Sequence, residues 1–414
     1  MGRQVKPATG PWPALHVVFI IRSFGFPEGM AATNRVRLLG RALTEQGVDV
    51  RVICMRVSER PGEVRNHQVA GTADGVSFIY TPGSTVRSDS FMVRRWREAR
   101  GYVRALLELY RLKARGSLDC VFLADGGSEK WYPSVYLLLR WLQHLGVPVI
   151  TELNELPRMQ AWLPTRLSGR LSHLAAVDGA VAISGWLSEW AAGEARWIGR
   201  RVDIVEIPIV VDTQEQVIAS RPDNGQLFVY SASNAYMRDL AFVFRSMRMV
   251  WERFPEAELM VTGMRPRSVA LVVDGENVRH AVDDGRLRIR GYLERSALLA
   301  AYQKAAALLI PLHDDLRSRA RFPSKVGEYL ASGRPVVTTR VGEIERFLQD
   351  GDTAYIAAAD DVAAFSDKMV AVLDDAQRAA AIGAAGRRAA EELFDYRSQG
   401  SRFTDLIVRV CRAP

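Results

Sequence analysis

The sequence predicts an α/β protein built from two doubly wound parallel sheets, and three observations predict it. The chain has 414 residues, more than one typical domain. Short apolar runs alternate with helix-period segments through the first half, the pattern of βαβ units. The same alternation starts afresh near Leu227, after a stretch punctuated by Pro, Asn and Gly.

The elements follow in order. "HVVFII" (His16–Ile21) is a buried strand. "RVRLLGRALTEQGVDV" reads as a helix with Val36, Leu38, Leu39 and Leu43 on one face, stopped at Gly47. "VDVRVIC", "SFIYT", "DCVFLA" and "PVIT" are further strands, and "FMVRRWREARGYVRALLELYRLKARG" (Phe91–Gly116) is a basic amphipathic helix between two of them. "AVDGAVAIS" and "VDIVEIPIVV" complete the first set. Glu206 to Gln226 reads as the joint between domains. In the second half "LFVYSAS", "ELMVTG", "LRIRGY", "AALLIPL" and "PVVTT" are strands. Between them lie the helices "DLAFVFRSMRMVWERFP", "RSALLAAYQKA" and "PSKVGEYLASG", and the helices of residues 361–390 come after. The expected division is an N-terminal domain of residues 1–208, a C-terminal domain of residues 209–390 and a closing helical segment of residues 391–414.

Composition is that of a soluble globular protein, 48% hydrophobic and 25% charged. Cys54, Cys120 and Cys411 are odd in number and far apart, which argues against a disulfide framework or zinc spacing and for a reducing compartment. "VVFII" is too short for a secretory leader, and no run reaches about 18 apolar residues. A cytoplasmic protein is expected, peripheral on the inner face of a membrane at most. The net charge of +8 lies in the first half: residues 1–210 hold 27 Lys/Arg against 19 Asp/Glu, and the remainder holds 28 against 28. That half attracts an anionic partner, phosphate or an acidic membrane. No nucleic-acid partner is expected.

In open α/β sheets, ligands bind outside the carboxyl ends of strands, so loops after strands carry the candidates. "FPEGMAATNR" places Gly29 before a helix, where free N–H groups suit a phosphate; the plain alternative is an ordinary βα turn. "PSKVGEYLASGRPVV" (Pro323–Val337) places N–H groups from Phe322 to Lys325 at a helix start, with Pro323 leading in, Ser324 as the cap and Lys325 adding charge. Glu328 then accepts hydrogen bonds from a vicinal diol such as a ribose, or merely suits the helix dipole. In "YSASNAYMRD" Arg238 either clamps a diphosphate or lies in a surface turn. In "VITELNELP" Glu152, Asn154 and Glu155 follow a strand, suited to sugar hydroxyls or proton transfer, or to capping a helix. The basic helix offers Arg94, Arg95, Arg97 and Trp96 to an anionic membrane or a phosphorylated acceptor, or is a solvated face. His280 and His313 stand beside Asp pairs without a second His or Cys to complete a metal site, so no metal is expected. Neither GxSxG nor HExxH occurs.

Taken together, these motifs resemble a GT-B-fold glycosyltransferase of the large retaining family 4. "PSKVGEYLASGRPVVTTRVGEIERFLQDGDTAYIAAADD" (Pro323–Asp361) is similar to that family's most recognisable block, and the order of the other motifs agrees from about residue 15 to 400. The resemblance implies two Rossmann-like domains facing a cleft, with the last helix crossing back to the first. It implies that Glu328 holds the nucleotide ribose and that Arg238 stands where the family has a phosphate-clamping Lys. It also implies that Gly29 meets the diphosphate and that Gly291, Tyr292 and Leu293 read the base. Ser233 stands where an Arg is usual, and Gly263, Phe322, Pro323, Ser324 and Lys325 complete the implied donor set. Arg238, Lys325, Asn154 and Glu155 form the implied catalytic set. Two departures stand out. The first Glu of the family's Glu-x7-Glu pair falls at Ala320, and its frequent His falls at about Asn154. A "Ser/Pro-x-Lys-x-x-Glu-Tyr" variant of the family omits that first Glu.

The activity so implied is retaining, metal-independent transfer of a hexose-type sugar, with no cofactor. The donor is a UDP or GDP sugar, and the acceptor a glycan, a lipid-linked glycan or a small molecule. The alternatives are a non-catalytic GT-B protein that binds a nucleotide sugar or a partner enzyme, and a nucleotide-sugar 2-epimerase.

Overall fold

A strand stays buried on both faces when helices cover the sheet, which is why these runs are continuous rather than alternating. The computed structural model describes residues 15–124, 133–155, 173–215 and 225–412, and the chain divides into two units. The first comprises residues 1–210 together with 396–414; the second comprises residues 211–395.

In the first unit, β1 (His16–Ile21), α1 (Ala31–Glu45), β2 (Asp49–Cys54), β3 (Ala70–Ala73) and β4 (Val76–Tyr80) come first. They are followed by α2 (Phe91–Ala114), β5 (Cys120–Leu123), α3 (Pro133–His144), β6 (Val149–Leu153), β7 (Gly179–Ala182), α4 (Gly185–Trp197) and β8 (Asp203–Glu206). The sheet order is β3-β4-β2-β1-β5-β6-β7-β8. All pairs are parallel except β3 with β4, an edge hairpin that the small residues of "AGTA" gave no periodic sign of.

The second unit runs through β9 (Leu227–Ser231), α5 (Met237–Arg253), β10 (Glu258–Thr262), α6 (Pro266–Gly275), α7 (Arg279–Asp283) and β11 (Leu287–Arg290). Next come α8 (Arg295–Lys304), β12 (Ala307–Ile310), α9 (Leu316–Ala320), α10 (Ser324–Ala331) and β13 (Val336–Thr339). The unit ends with α11 (Ile344–Phe347), β14 (Tyr355–Ala357), α12 (Val362–Asp374) and α13 (Ala376–Leu393). Its wholly parallel sheet has the order β11-β10-β9-β12-β13-β14. The final helix, α14 (Tyr396–Arg412), returns to the first unit.

α14 belongs there because of its apolar face. Phe403 sits 4.8 Å from Phe122 and 6.1 Å from Phe19, ring centre to ring centre, inside the core of the first sheet. Gly400 lets the helix approach α1, since a Cβ there would lie 2.2 Å from that of Ala42. The Tyr396 hydroxyl donates to Glu45 at 2.8 Å, and the Thr404 hydroxyl to Gln46 at 2.8 Å.

Strand order reverses between β1 and β5 in one sheet and between β9 and β12 in the other. At such a switch point neighbouring loops part in opposite directions and leave a crevice. The loops after β9 and β12 therefore frame the crevice of the second unit. They carry Ser233 and Arg238 on one side and His313 to Asp315 on the other.

Candidate functional site

The buried carboxylate of α10 is the centre of the second unit's site. The helix begins at Ser324, so Glu328 lies in its second turn, and its side chain is only 7% exposed. A carboxylate in that position needs cations, and it has two. Lys325 Nζ donates to Oε2 at 2.8 Å and Arg295 Nη1 to Oε1 at 3.1 Å. Burial alone pushes the acid's pKa up, but Lys325 and Arg295 more than offset it and hold the carboxyl at about 2.

The partners are themselves fixed. Arg295 makes a two-pronged pair with Glu215, at 3.0 and 2.7 Å. Lys325 donates to the Tyr302 hydroxyl at 2.9 Å, and that ring meets Tyr329 edge-on at 5.0 Å. The Tyr329 hydroxyl accepts from the N–H of Ser231, at the last residue of β9. One chain of contacts thus runs from the central strand end to the carboxylate.

A second cluster surrounds Arg238 at the start of α5. The guanidinium is 66% exposed and stands 3.7 Å from Asp315 and 3.5 Å from Asp360. Behind it lies buried His313. Its Nδ1 bonds Asp360, and its Nε2 faces Asp239 at 3.6 Å. Asp360 also accepts the N–H of Asp314 at 3.1 Å. Burial pushes the Asp239 carboxyl up, against the opposing charges of His313, Arg321 and Arg238. Arg321 donates to the Tyr236 hydroxyl at 2.9 Å and stacks over that ring. Chemically, an exposed guanidinium leashed loosely to two carboxylates can turn to an incoming phosphate.

The glycines behave as close-approach positions. Gly263 has φ +82°, and a Cβ on it would lie 2.7 Å from the carbonyl oxygen of Ala232. Its N–H donates to the carbonyl of Gly291 at 2.9 Å, so that carbonyl is engaged. The Tyr292 ring is exposed at the end of β11. Ser233 caps a single helical turn, its hydroxyl accepting from the N–H of Ala235 at 3.4 Å. The structure thus brings Ser233, Gly263 and Gly291 together through contacts among the β9, β10 and β11 loops. The N–H of Arg265 reaching Asn234 at 2.9 Å is a further tie.

Several sequence expectations need correction. Pro323, not Ser324, occupies the N-cap of α10, and no side chain caps it, because Ser324 is already the first helical residue. The Phe322 side chain stacks on Phe347 and meets Phe394 edge-on in an apolar cluster, so only its backbone is left for the expected role. Lys325 is directed to Glu328 and Tyr302 rather than left as an unspent charge at the helix start. Ala320, where the family's first Glu would stand, is fully buried at the end of α9.

In the first unit, Glu152 does not follow its strand; it lies within β6, 1% exposed, and accepts from Arg35 Nε at 2.5 Å. Arg35 also donates to the carbonyls of Pro208 and Ile207, so this is a structural ion pair tying α1 to the exit strand. Asn154 and Glu155 lie just beyond β6, half-buried, and the residues after them fall outside the described ones. Gly29 is exposed in the turn before α1, where a Cβ would lie 2.0 Å from the Thr33 hydroxyl. On α2, Arg94 donates to the carbonyls of Ser88 and Asp89, Arg97 to that of Val86, and Arg95 pairs with Glu98. Arg94 and Arg97 therefore fasten the helix start, Arg95 pairs within the helix, and Trp96 beside them is exposed.

Sequence reasoning missed Arg295, Tyr302 and Glu215, and weighed His313 only as a metal ligand. A signal existed for the first two: seven residues apart, they share one face of α8. Glu215 and His313 are joined to their partners only by the fold.

Residues 225–375 match the family model described as glycosyl transferases group 1. A curated relative, the GDP-mannose-dependent alpha-(1-6)-phosphatidylinositol monomannoside mannosyltransferase of Mycolicibacterium smegmatis, is 36% identical over 80 residues. That match covers 19% of this chain and spans 21% of the relative. Among solved structures, sucrose-phosphate synthase from Thermosynechococcus elongatus aligns with a TM-score of 0.69 at 14% identity, over 96% of this chain and 99% of that one. Anabaena HepE in complex with UDP-glucose aligns with a TM-score of 0.65 at 8% identity, over 95% of this chain and 99% of that one. These likenesses show a shared two-sheet fold.

Proposed function

We propose, from the match of residues 225–375 to the glycosyl transferases group 1 and from the GT-B fold, that the chain transfers a hexose-type sugar from a nucleoside-diphosphate donor with retention and without a metal. The observation that carries the reading is Glu328. A carboxylate this buried, held ionised by Lys325 and Arg295 and tied through Tyr329 to the end of β9, is a fixed acceptor pair beside the switch point. A ribose diol offers the two donors that such a carboxylate accepts.

The diphosphate would then lie toward the loop after β9. Arg238 would exchange its loose contacts with Asp315 and Asp360 for phosphate oxygens. The bond between the anomeric carbon and the β-phosphate oxygen breaks as charge builds on the phosphate, and Arg238 stabilises that charge. The acceptor hydroxyl attacks the same face, and its proton passes to the departing phosphate oxygen, so no protein base is required. Backbone groups at Tyr292 and Leu293 would contact the base. Relatives named for GDP-mannose and solved with UDP-glucose make GDP and UDP the nucleotides to try first.

Calorimetric titration with GDP and UDP, followed by a panel of their sugars against glycan, lipid-linked and small acceptors, tests the reading. Saturable binding of one nucleotide and donor turnover support it. Binding without turnover on any acceptor would replace it with a nucleotide-sugar-binding protein.

A further inference from the structure

The most exposed apolar surface lies on α2, in the first unit. The helix packs through Gly101, Ala105, Leu109 and Leu112, which are buried. Gly101 is needed there, since a Cβ would lie 2.5 Å from the carbonyl oxygen of Met55. At 100° per residue, Met92, Trp96, Ala99, Val103, Leu107 and Tyr110 fall within roughly 80° of arc on the opposite side. The five large ones among them are 47% to 74% exposed. The stripe runs about 27 Å along the helix.

Its flanks are cationic. Arg100, Arg104 and Arg111 border one edge, and Arg95 and Lys113 the other. The helix has only two carboxylates, and of the five flanking cations only Arg95 pairs with one of them. Glu98 pairs with Arg56 and Arg95, each at 2.7 Å, and Glu108 pairs with Arg51 at 2.8 Å. A second copy of the helix laid on the stripe would bring positive flank against positive flank. An anionic bilayer surface complements both features: apolar side chains enter the acyl boundary while arginines meet headgroup phosphates. No helix among the described residues is long and apolar enough to cross a membrane.

We propose that the Met92–Tyr110 face of α2 docks this protein on an anionic lipid surface, with the apolar stripe inserted and the flanking arginines on the headgroups. Arg94 and Arg97 at the helix start hold the element in place, and the stripe makes the contact. The proposal does not rest on the transfer reading.

The test is flotation of the full chain with vesicles of equal phosphatidylglycerol and phosphatidylcholine, and with phosphatidylcholine alone. The expected result is binding to the first, weakened by added salt, and at least about tenfold weaker binding by Val103→Glu/Leu107→Glu. Far-ultraviolet circular dichroism and the urea unfolding midpoint should be unchanged in that variant, which shows that the first unit is folded. No binding to the anionic vesicles, equal binding to the neutral ones, or no loss in the double variant overturns the proposal. So does a dimer in sedimentation velocity that the double variant dissolves, because a second copy then covers the face.

Discussion

Glu328 supports two predictions at the scale of single residues. Replacing it with Ala should weaken nucleotide binding by about 1.5–3 kcal/mol, the range for a charged hydrogen bond. It should also destabilise the second unit by about 3–5 kcal/mol, because Arg295 and Lys325 lose their counter-charge. Titration calorimetry and urea unfolding read these separately. Glu328→Gln keeps the shape and separates charge from packing. The second prediction concerns acid. The carboxyl is held at about 2 from an ordinary 4.5, so the unfolded chain binds its proton more readily than the folded one. Its contribution, on the order of 3 kcal/mol, is complete above pH 4.5 and disappears as pH falls toward 2. The stability gap between the protein and Glu328→Gln should therefore narrow steadily in urea titrations below that pH; a gap independent of pH would show that the charge contributes nothing. Glu328 was legible because "PSKVGEY" is a local word. Its partners were not, since Arg295 lies 33 positions away and Glu215 a further 80 from Arg295. Ion pairs across such distances leave no mark on sequence spacing.

At the scale of elements, the loop between β10 and α6 depends on one backbone conformation. Gly263→Ala places a Cβ against the carbonyl of Ala232 at a φ of +82°, and should cost about 1–3 kcal/mol and loosen the loops after β9 and β11. Hydrogen exchange at residue 263, whose N–H donates to the Gly291 carbonyl, and at Arg265 would show it; unchanged protection would mean that the loops are held by other contacts. Element identity was readable wherever period and length were strong, as in α1, α2 and α5. It failed for "AGTA" and for the three-residue β14, where too few side chains repeat to show a period. Capping was misread at α10 because Ser324 is a good cap by chemistry, yet the chain turns one residue earlier, at Pro323. The aromatic pocket holding Phe322 fixes where that turn occurs.

At the scale of the whole molecule, the last helix serves the first unit although it follows the second in sequence. Phe403→Ala should remove about 3–5 kcal/mol from the first unit, where its ring contacts Phe122 and Phe19. Exchange should rise in β1 and β5 while nucleotide affinity stays as it was; a loss of affinity would show that the nucleotide site depends on the first core. The restart of strand–helix alternation near Leu227 made two sheets legible. The destination of α14 was not readable from its residues, because an amphipathic helix does not say which sheet it covers, and only the family resemblance implied it. The contrast between a basic first half and a neutral second half was legible too. The amphipathic character of α2 was legible as well, but which of its apolar residues stay exposed was not, because the sheet it packs on decides that.

The most direct test of the account is titration calorimetry of GDP and UDP into the protein and into Glu328→Ala, with folding of the variant checked by circular dichroism. The account predicts saturable binding of at least one nucleotide and a loss of roughly ten- to a hundredfold in the folded variant. Equal affinity in the two proteins would take Glu328 out of the site, and binding of neither nucleotide to the unaltered protein would contradict the donor site itself.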